Sequence, residues 1–276
     1  MGLGTGAATI GAASQRWREL LAAVPPPPEL VASAPECPYG FSVALFSRRA
    51  DDAAGRRTPS RARALEALTP EGTVLDVGCG AGAACLALAE AATAVTGVDP
   101  AEDMLSAFAA RAQRLGIPHR EVRGSWPEAA AEDLVCDVCV CHHVVYNVPE
   151  LAGFAAALTR SARRAVVVEM TAEHPVAWMR PLWMRLHGLA AAPGPDAADA
   201  LAVLADAGIQ PTVDRWWDAS PWLDAADDLV AFVRRRLCVG SDRDADIRAA
   251  LSAEGLPRPR RELVTLRWSG AADRRS

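Results

Sequence analysis

The chain contains no lysine; all 29 of its basic residues are arginines. That excludes Schiff-base chemistry and a lysine general base, and with the alanine richness it reads as the bias of a GC-rich coding sequence. Aromatic residues are few, at 5%, and only two are tyrosines. Long hydrophobic runs are missing as well: the best candidates are broken by Glu90 or Asp99, short of the roughly twenty residues that a membrane span needs, so no membrane partner is expected. Residues 1–14 show neither a basic leader nor a compact apolar core. Seven cysteines, an odd number in a long chain, do not form a secreted disulfide framework, and reduced thiols in the cytoplasm are expected. There is no basic run either. With a net charge of −5, no nucleic-acid partner is expected.

What is present is enough for one large domain with additions, in 276 residues that are 51% hydrophobic. Its centre is residues 72–82. Thr73, Val74, Leu75 and Val77 make a β-branched apolar run, the pattern of a strand buried on both faces of a parallel sheet. Gly78, Gly80 and Gly82 then let the backbone turn tightly and approach a ligand, with residues 83–90 reading as a helix. A dinucleotide fingerprint would space its glycines G-x-G-x-x-G and place pyrophosphate beside them. Here the spacing is G-x-G-x-G, and Asp76 stands two residues before the first glycine, where it would repel pyrophosphate and suit a cationic ligand. A second apolar run, 94–98, ends in Asp99, placed to accept hydrogen bonds from both hydroxyls of a ribose. A positively charged nucleoside is the expected ligand.

V-L-D-V-G-C-G-A-G at 74–82 followed by V-T-G-V-D-P at 95–100 resembles the first two motifs of the class I S-adenosylmethionine-dependent methyltransferases. The resemblance runs through the order of elements from residue 60 to 170 and, more weakly, to 268. It implies an α/β fold, a Rossmann-like seven-stranded, mostly parallel sheet with helices on both faces and the last strand inserted antiparallel. Residues 1–58 would be an N-terminal extension or lid and 59–270 the methyltransferase domain, with a helical insertion after the fifth strand. The implied cofactor is S-adenosyl-L-methionine. By the resemblance, Gly78, Gly80 and Gly82 border its methionine part, Asp76 lies near its amino group and Asp99 holds the ribose. Cys79, Pro100, Met104 and His142 complete the lining. Where relatives place an acidic residue or amide for the adenine, this chain has Ser125, and Trp126 to stack on a purine face.

Further along, helices are expected at 15–24, 61–68, 102–115, 151–161, 195–207, 223–237 and 242–254. Strands are expected at 119–123, 135–141, 165–168, 211–217 and 262–268. Residues 1–13 should be disordered and 270–276 should fray. The fourth strand carries Cys136, Cys139 and Cys141 and runs into His142 and His143. Alternation puts Cys139 and Cys141 on one face and Cys136 on the other, so four converging ligands are not supplied and no metal is expected. Ligands of open α/β sheets bind at the carboxyl ends of the strands. His142 and Tyr146 should therefore face the transferred methyl group, orienting an acceptor or, for the histidine, removing its proton. The alternative is that the histidines cap the strand. Glu169, ending the fifth strand, is within reach of the same crevice.

Two segments have open readings. Residues 29–53, with Cys37, Tyr39, Phe41 and Phe46, either cover the substrate as a lid or pack on the sheet edge. Residues 170–189, with His174, Trp178, Trp183 and His187, either wall an apolar acceptor pocket or make a helical hairpin for a homodimer. Trp216, Trp217 and Trp222 read as packing residues. The expected activity is methyl transfer from S-adenosylmethionine to an oxygen or nitrogen of a small-molecule acceptor. The alternatives are a non-catalytic protein that binds the same cofactor and a nicotinamide-dependent oxidoreductase.

Overall fold

Seven strands join in one sheet of order β3-β2-β1-β4-β5-β7-β6 in the computed structural model, which describes residues 11–40, 42–129, 134–219, 226–257 and 260–271. In chain order the elements are α1 (Ala12–Ala22), α2 (Pro28–Ser33), α3 (Val43–Ala53), α4 (Pro59–Ala67), β1 (Gly72–Val77), β2 (Ala92–Asp99), α5 (Glu102–Arg114), β3 (His119–Arg123), β4 (Cys136–His142), α6 (Leu151–Ser161) and β5 (Ala162–Thr171). The insertion helix α7 (Arg180–His187), α8 (Ala197–Asp206), β6 (Thr212–Asp218), α9 (Ala226–Arg236), α10 (Asp244–Glu254) and β7 (Arg261–Ser269) complete the chain. β1 to β5 run parallel, while β7 lies antiparallel between β5 and β6. The strand order reverses between β1 and β4, and a crevice at the strands' carboxyl ends is expected there.

The two faces of the sheet divide the side chains. Val74, Val138, Val140, Ala165 and Val167 pack under α4 and α5 with Leu68 and Phe108. Leu75, Val77, Cys139, Cys141, Val166 and Val168 face α6 and α8. A third cluster lies away from the sheet, where Met179, Leu182 and Trp183 meet α9 and α10 through Val233 and Ile247. The residue 170–189 insertion is thus docked within the chain. α1 joins the α8 side, with Trp17 fully buried and its Nε1 donating to the Val148 carbonyl at 2.8 Å.

Several expectations need correction. Residues 83–90 are not an α-helix but turns with a 3-10 piece at Leu86–Leu88. The bond that would build the first α-turn is diverted at both ends. The Cys85 amide donates to Asp76 at 3.2 Å, and the Ala81 carbonyl accepts from Arg111 at 3.3 Å. Cys136 joins Cys139 and Cys141 in one cluster, because a register irregularity between Cys136 and Val138 breaks the alternation. The first helix begins at Ala12, inside the stretch expected to be disordered, and residues 1–10 lie outside the described ones. Gly270 and Ala271 do not fray; their amides donate to Arg164 and to Thr159 and Ala162. Phe41, Trp222 and residues 272–276 lie outside the described residues.

Candidate active site

Gly78, Gly80 and Gly82 all adopt positive φ, at 73°, 50° and 89°, a region that side chains with a Cβ rarely enter. Space is short as well. A Cβ on Gly78 would lie 2.3 Å from Val144 Cγ2, and one on Gly82 would lie 2.6 Å from Leu86. The Gly78 and Cys79 amides both donate to the Val98 carbonyl, at 2.8 and 3.1 Å, tying the turn to the end of β2. Above Gly80 sits the Phe46 ring of α3, 3.2 Å from where a Cβ would be. Cys79 itself turns inward and is 5% exposed, so only its backbone borders the turn.

Two carboxylates flank this turn on one face of the sheet. Asp76 pairs in register with Gly97, and Asp99, two residues further along β2, points the same way. Asp76 is 1% exposed. Burial raises its pKa, opposed by His142 and by the Cys85 hydrogen bonds. Asp99 accepts from the Gly80 and Ala101 amides, both at 2.9 Å. Burial raises its pKa too, with those amides pulling the other way. A carboxylate offers about four lone-pair positions, so Asp99 keeps acceptor capacity beyond these two bonds. Met104 is buried in the first turn of α5, while Pro100 and Ser125 are exposed. Trp126 lies in the core cluster of the opposite face, with its Nε1 buried and without a hydrogen-bond partner, and does not offer the open ring face expected of it.

Across the reversal point, β4 and β5 carry the second half of the site. His142 pairs in register with Glu169, on the same face as Asp76, and its buried Nε2 has no hydrogen-bond partner. Glu169 is the end of a directed chain of hydrogen bonds. Trp216 Nε1 donates to Thr265 Oγ1 at 3.1 Å, Thr265 to Ser60 Oγ at 2.6 Å, and Ser60 to Glu169 Oε2 at 2.6 Å. His143 Nε2 reaches Glu169 Oε1 at 3.1 Å. Burial alone would push the Glu169 carboxyl up; His142, His143 and Ser60 together outweigh it and hold the pKa well below the usual carboxylate range.

His143 is fixed by more than its ring. Its φ is 60°, a left-handed conformation unusual for a residue with a Cβ, and its amide donates to the Glu169 carbonyl at 2.8 Å. Burial lowers its pKa, with Glu169 opposing. The ring is therefore neutral at pH 7, with Nε2–H given to Glu169 and the lone pair on Nδ1. Tyr146 is differently placed from the expectation. Thr171 Oγ1 donates to the Glu173 carbonyl, so the Tyr146 hydroxyl gives its proton to Thr171 Oγ1 at 2.7 Å and accepts from the Thr171 amide. Burial raises its pKa, and this engaged phenol braces the loop after β5.

Sequence reasoning singled out His142 and Glu169 and named Phe46 in a segment that could cover the substrate; it preferred His142 to His143 and did not reach Ser60 or Thr265. Simple alternation turns His143 away from Glu169; the left-handed backbone at His143 undoes that. Among the described residues no group of three His, Cys, Asp or Glu side chains is arranged to hold a metal ion. None of the described helices is long and apolar enough to cross a membrane.

Residues 74–165 match the family model of a methyltransferase domain. Over 140 residues the chain is 32% identical to the ubiquinone biosynthesis O-methyltransferase of Methylobacterium nodulans, covering 45% of this chain and 54% of that one. It is 29% identical over 181 residues to the protein of the same name from Rhizobium rhizogenes, covering 58% and 71%. The chain therefore spans only about half of the first relative's length. Among solved structures, a methyltransferase from Geobacter sulfurreducens in complex with S-adenosyl-L-homocysteine superposes with a TM-score of 0.51, at 18% identity over 81% of this chain and 96% of that one. At that identity the likeness concerns the fold.

Proposed function

We propose that this protein, whose residues 74–165 match the model of a methyltransferase domain, transfers a methyl group from S-adenosylmethionine to a hydroxyl oxygen of a small-molecule acceptor. The observation that carries the reading is the pair Asp76 and Asp99, two carboxylates on one face of the sheet with three left-handed glycines between them. A buried anion at Asp76 suits an ammonium group, and Asp99 has acceptor positions left for a ribose diol. The glycine turn leaves room where a Cβ would not. Phe46 on α3 supplies a roof that would keep water out, in keeping with a lid.

Once bound, the cofactor supplies a methyl group already activated on a sulfonium. What remains for the protein is to align the acceptor, exclude water and take a proton. In this reading His143 takes that proton on Nδ1, the ring nitrogen that Glu169 does not engage, and Glu169 orients the ring and would stabilise it once protonated. His142, with a buried nitrogen lacking a partner, would meet the bound molecules. Oxygen is favoured over nitrogen because both relatives carry the name O-methyltransferase and a hydroxyl acceptor needs such a base. Calorimetry with S-adenosylhomocysteine tests the reading. The wild type should bind it, and Asp99→Ala should bind it more weakly by about 1–3 kcal/mol. Binding of NAD without binding of S-adenosylhomocysteine would overturn the reading, and an unchanged affinity in the variant would remove Asp99 from the site.

A further inference from the structure

Glu169 Oε2 stands at the end of a chain through three elements, Ser60 of α4, Thr265 of β7 and Trp216 of β6. Ser60 and Thr265 are fully buried. The direction of the chain is forced from its far end. An indole N–H donates and never accepts, so Trp216 makes Thr265 Oγ1 its acceptor at 3.1 Å. Ser60 uses its one proton on Glu169 Oε2 at 2.6 Å, so the 2.6 Å contact between the two hydroxyls is donated by Thr265. Every hydrogen therefore points at the carboxylate, whose other oxygen, Oε1, receives His143 Nε2 at 3.1 Å. A proton on His143 has no outlet along such a chain, because Trp216 cannot take one.

We propose that Ser60 is a positioning residue for the base, acting through Glu169: backed by Thr265 and Trp216, its hydroxyl draws on the charge of the carboxylate and leaves His143 neutral, with Nδ1 open to the acceptor. Hydrogen bonds in series polarise and strengthen one another, and a bond to an ion is among the stronger kinds. Besides Glu169, the charged groups within electrostatic reach of His143 are Arg261 and Arg49. Those that reach Glu169 include His142 and Arg49. Burial lowers the His143 pKa, with Glu169 opposing; Ser60 limits that opposition. The role of His143 as base rests on the methyl-transfer reading; the hydrogen-bond chain stands without it.

The test follows the His143 ring by nitrogen NMR of the whole protein, its signal assigned by its loss in His143→Gln. Ser60→Ala should raise the titration midpoint by about half a pH unit or more, roughly a threefold gain in proton affinity. A merely structural Ser60 predicts the reverse, since a loosened carboxylate supports the imidazolium less and the midpoint falls. Thr265→Val, which keeps the shape and removes only the hydroxyl, should move the midpoint upward by less, and Thr265→Ser should keep the wild-type value. A midpoint unmoved or lowered in either Ser60→Ala or Thr265→Val overturns the proposal; if Ser60→Ala does not fold, Thr265→Val decides alone. Calorimetry with S-adenosylhomocysteine separates the two readings. A wild type that fails to bind it strikes the methyl-transfer reading, while a raised midpoint leaves the hold of Ser60 on Glu169 standing.

Discussion

His143 and Glu169 are joined twice, once by backbone, from the His143 amide to the Glu169 carbonyl at 2.8 Å, and once by side chain, from Nε2 to Oε1 at 3.1 Å. The first bond fixes where the ring starts and the second fixes which way it faces. Since the main chain holds one end, the loss of the carboxylate should alter the ring's titration more than its position.

That expectation can be measured. Glu169 opposes the burial that lowers the His143 pKa, so Glu169→Gln should move the His143 midpoint, followed by NMR of the ring nitrogens, to lower pH. An unmoved midpoint would show that the carboxylate does not act on this ring. In the wild type the spectrum should show the tautomer protonated at Nε2.

The glycine turn offers a paired comparison. Gly78→Ala meets both a φ of 73° and Val144 at 2.3 Å, and should cost about 3 kcal/mol or more of stability. Gly116, the cap after α5, has a φ of 67° with nothing within 4 Å of a new Cβ. Gly116→Ala should cost only the left-handed term, about 1–2 kcal/mol. Urea unfolding of the two variants separates steric from conformational need; equal losses would show that Val144 yields freely.

A pH dependence of stability follows from His174, which is 8% exposed, with its ring edge-on to Tyr146 at 5.5 Å. Burial, then Arg236, lowers its pKa from 6.5 to about 4. The unfolded chain takes up a proton as pH falls below 6.5 while the folded chain resists until about 4, so stability declines across that interval by on the order of 2–3 kcal/mol. His143, lowered in the same direction, adds to the decline. Urea unfolding at pH 7 and pH 4.5 should show a smaller difference for His174→Asn than for the wild type; an identical difference would assign the effect elsewhere.

How much of this was legible in the sequence depends on how local the cause is. β3 and α6 lie where the pattern put them, at His119–Arg123 and Leu151–Ser161, because hydrophobic periodicity and the cap at Gly116 act within a few residues. The strand, the glycines and the two aspartates were legible for the same reason. Residues 83–90 misled because Asp76 and Arg111 compete for the backbone groups a helix would use. The supports of Glu169 were invisible: Ser60 bridges partners 109 and 205 positions away in the chain, and no spacing rule spans that distance. His143 was lost to a single backbone angle.

Arg111 holds two things at once. One nitrogen donates to the Ala81 carbonyl inside the glycine turn, another to the Ser47 carbonyl of α3 at 2.5 Å, and the side chain also pairs with Asp51. Moving α3 away would free Arg111 from Ser47 and Asp51 and leave its bond to Ala81 as the one link among the described residues holding the side chain over the turn. With the cofactor bound between α3 and the turn, as proposed, any opening of α3 would also loosen the arginine that steadies the turn beneath it.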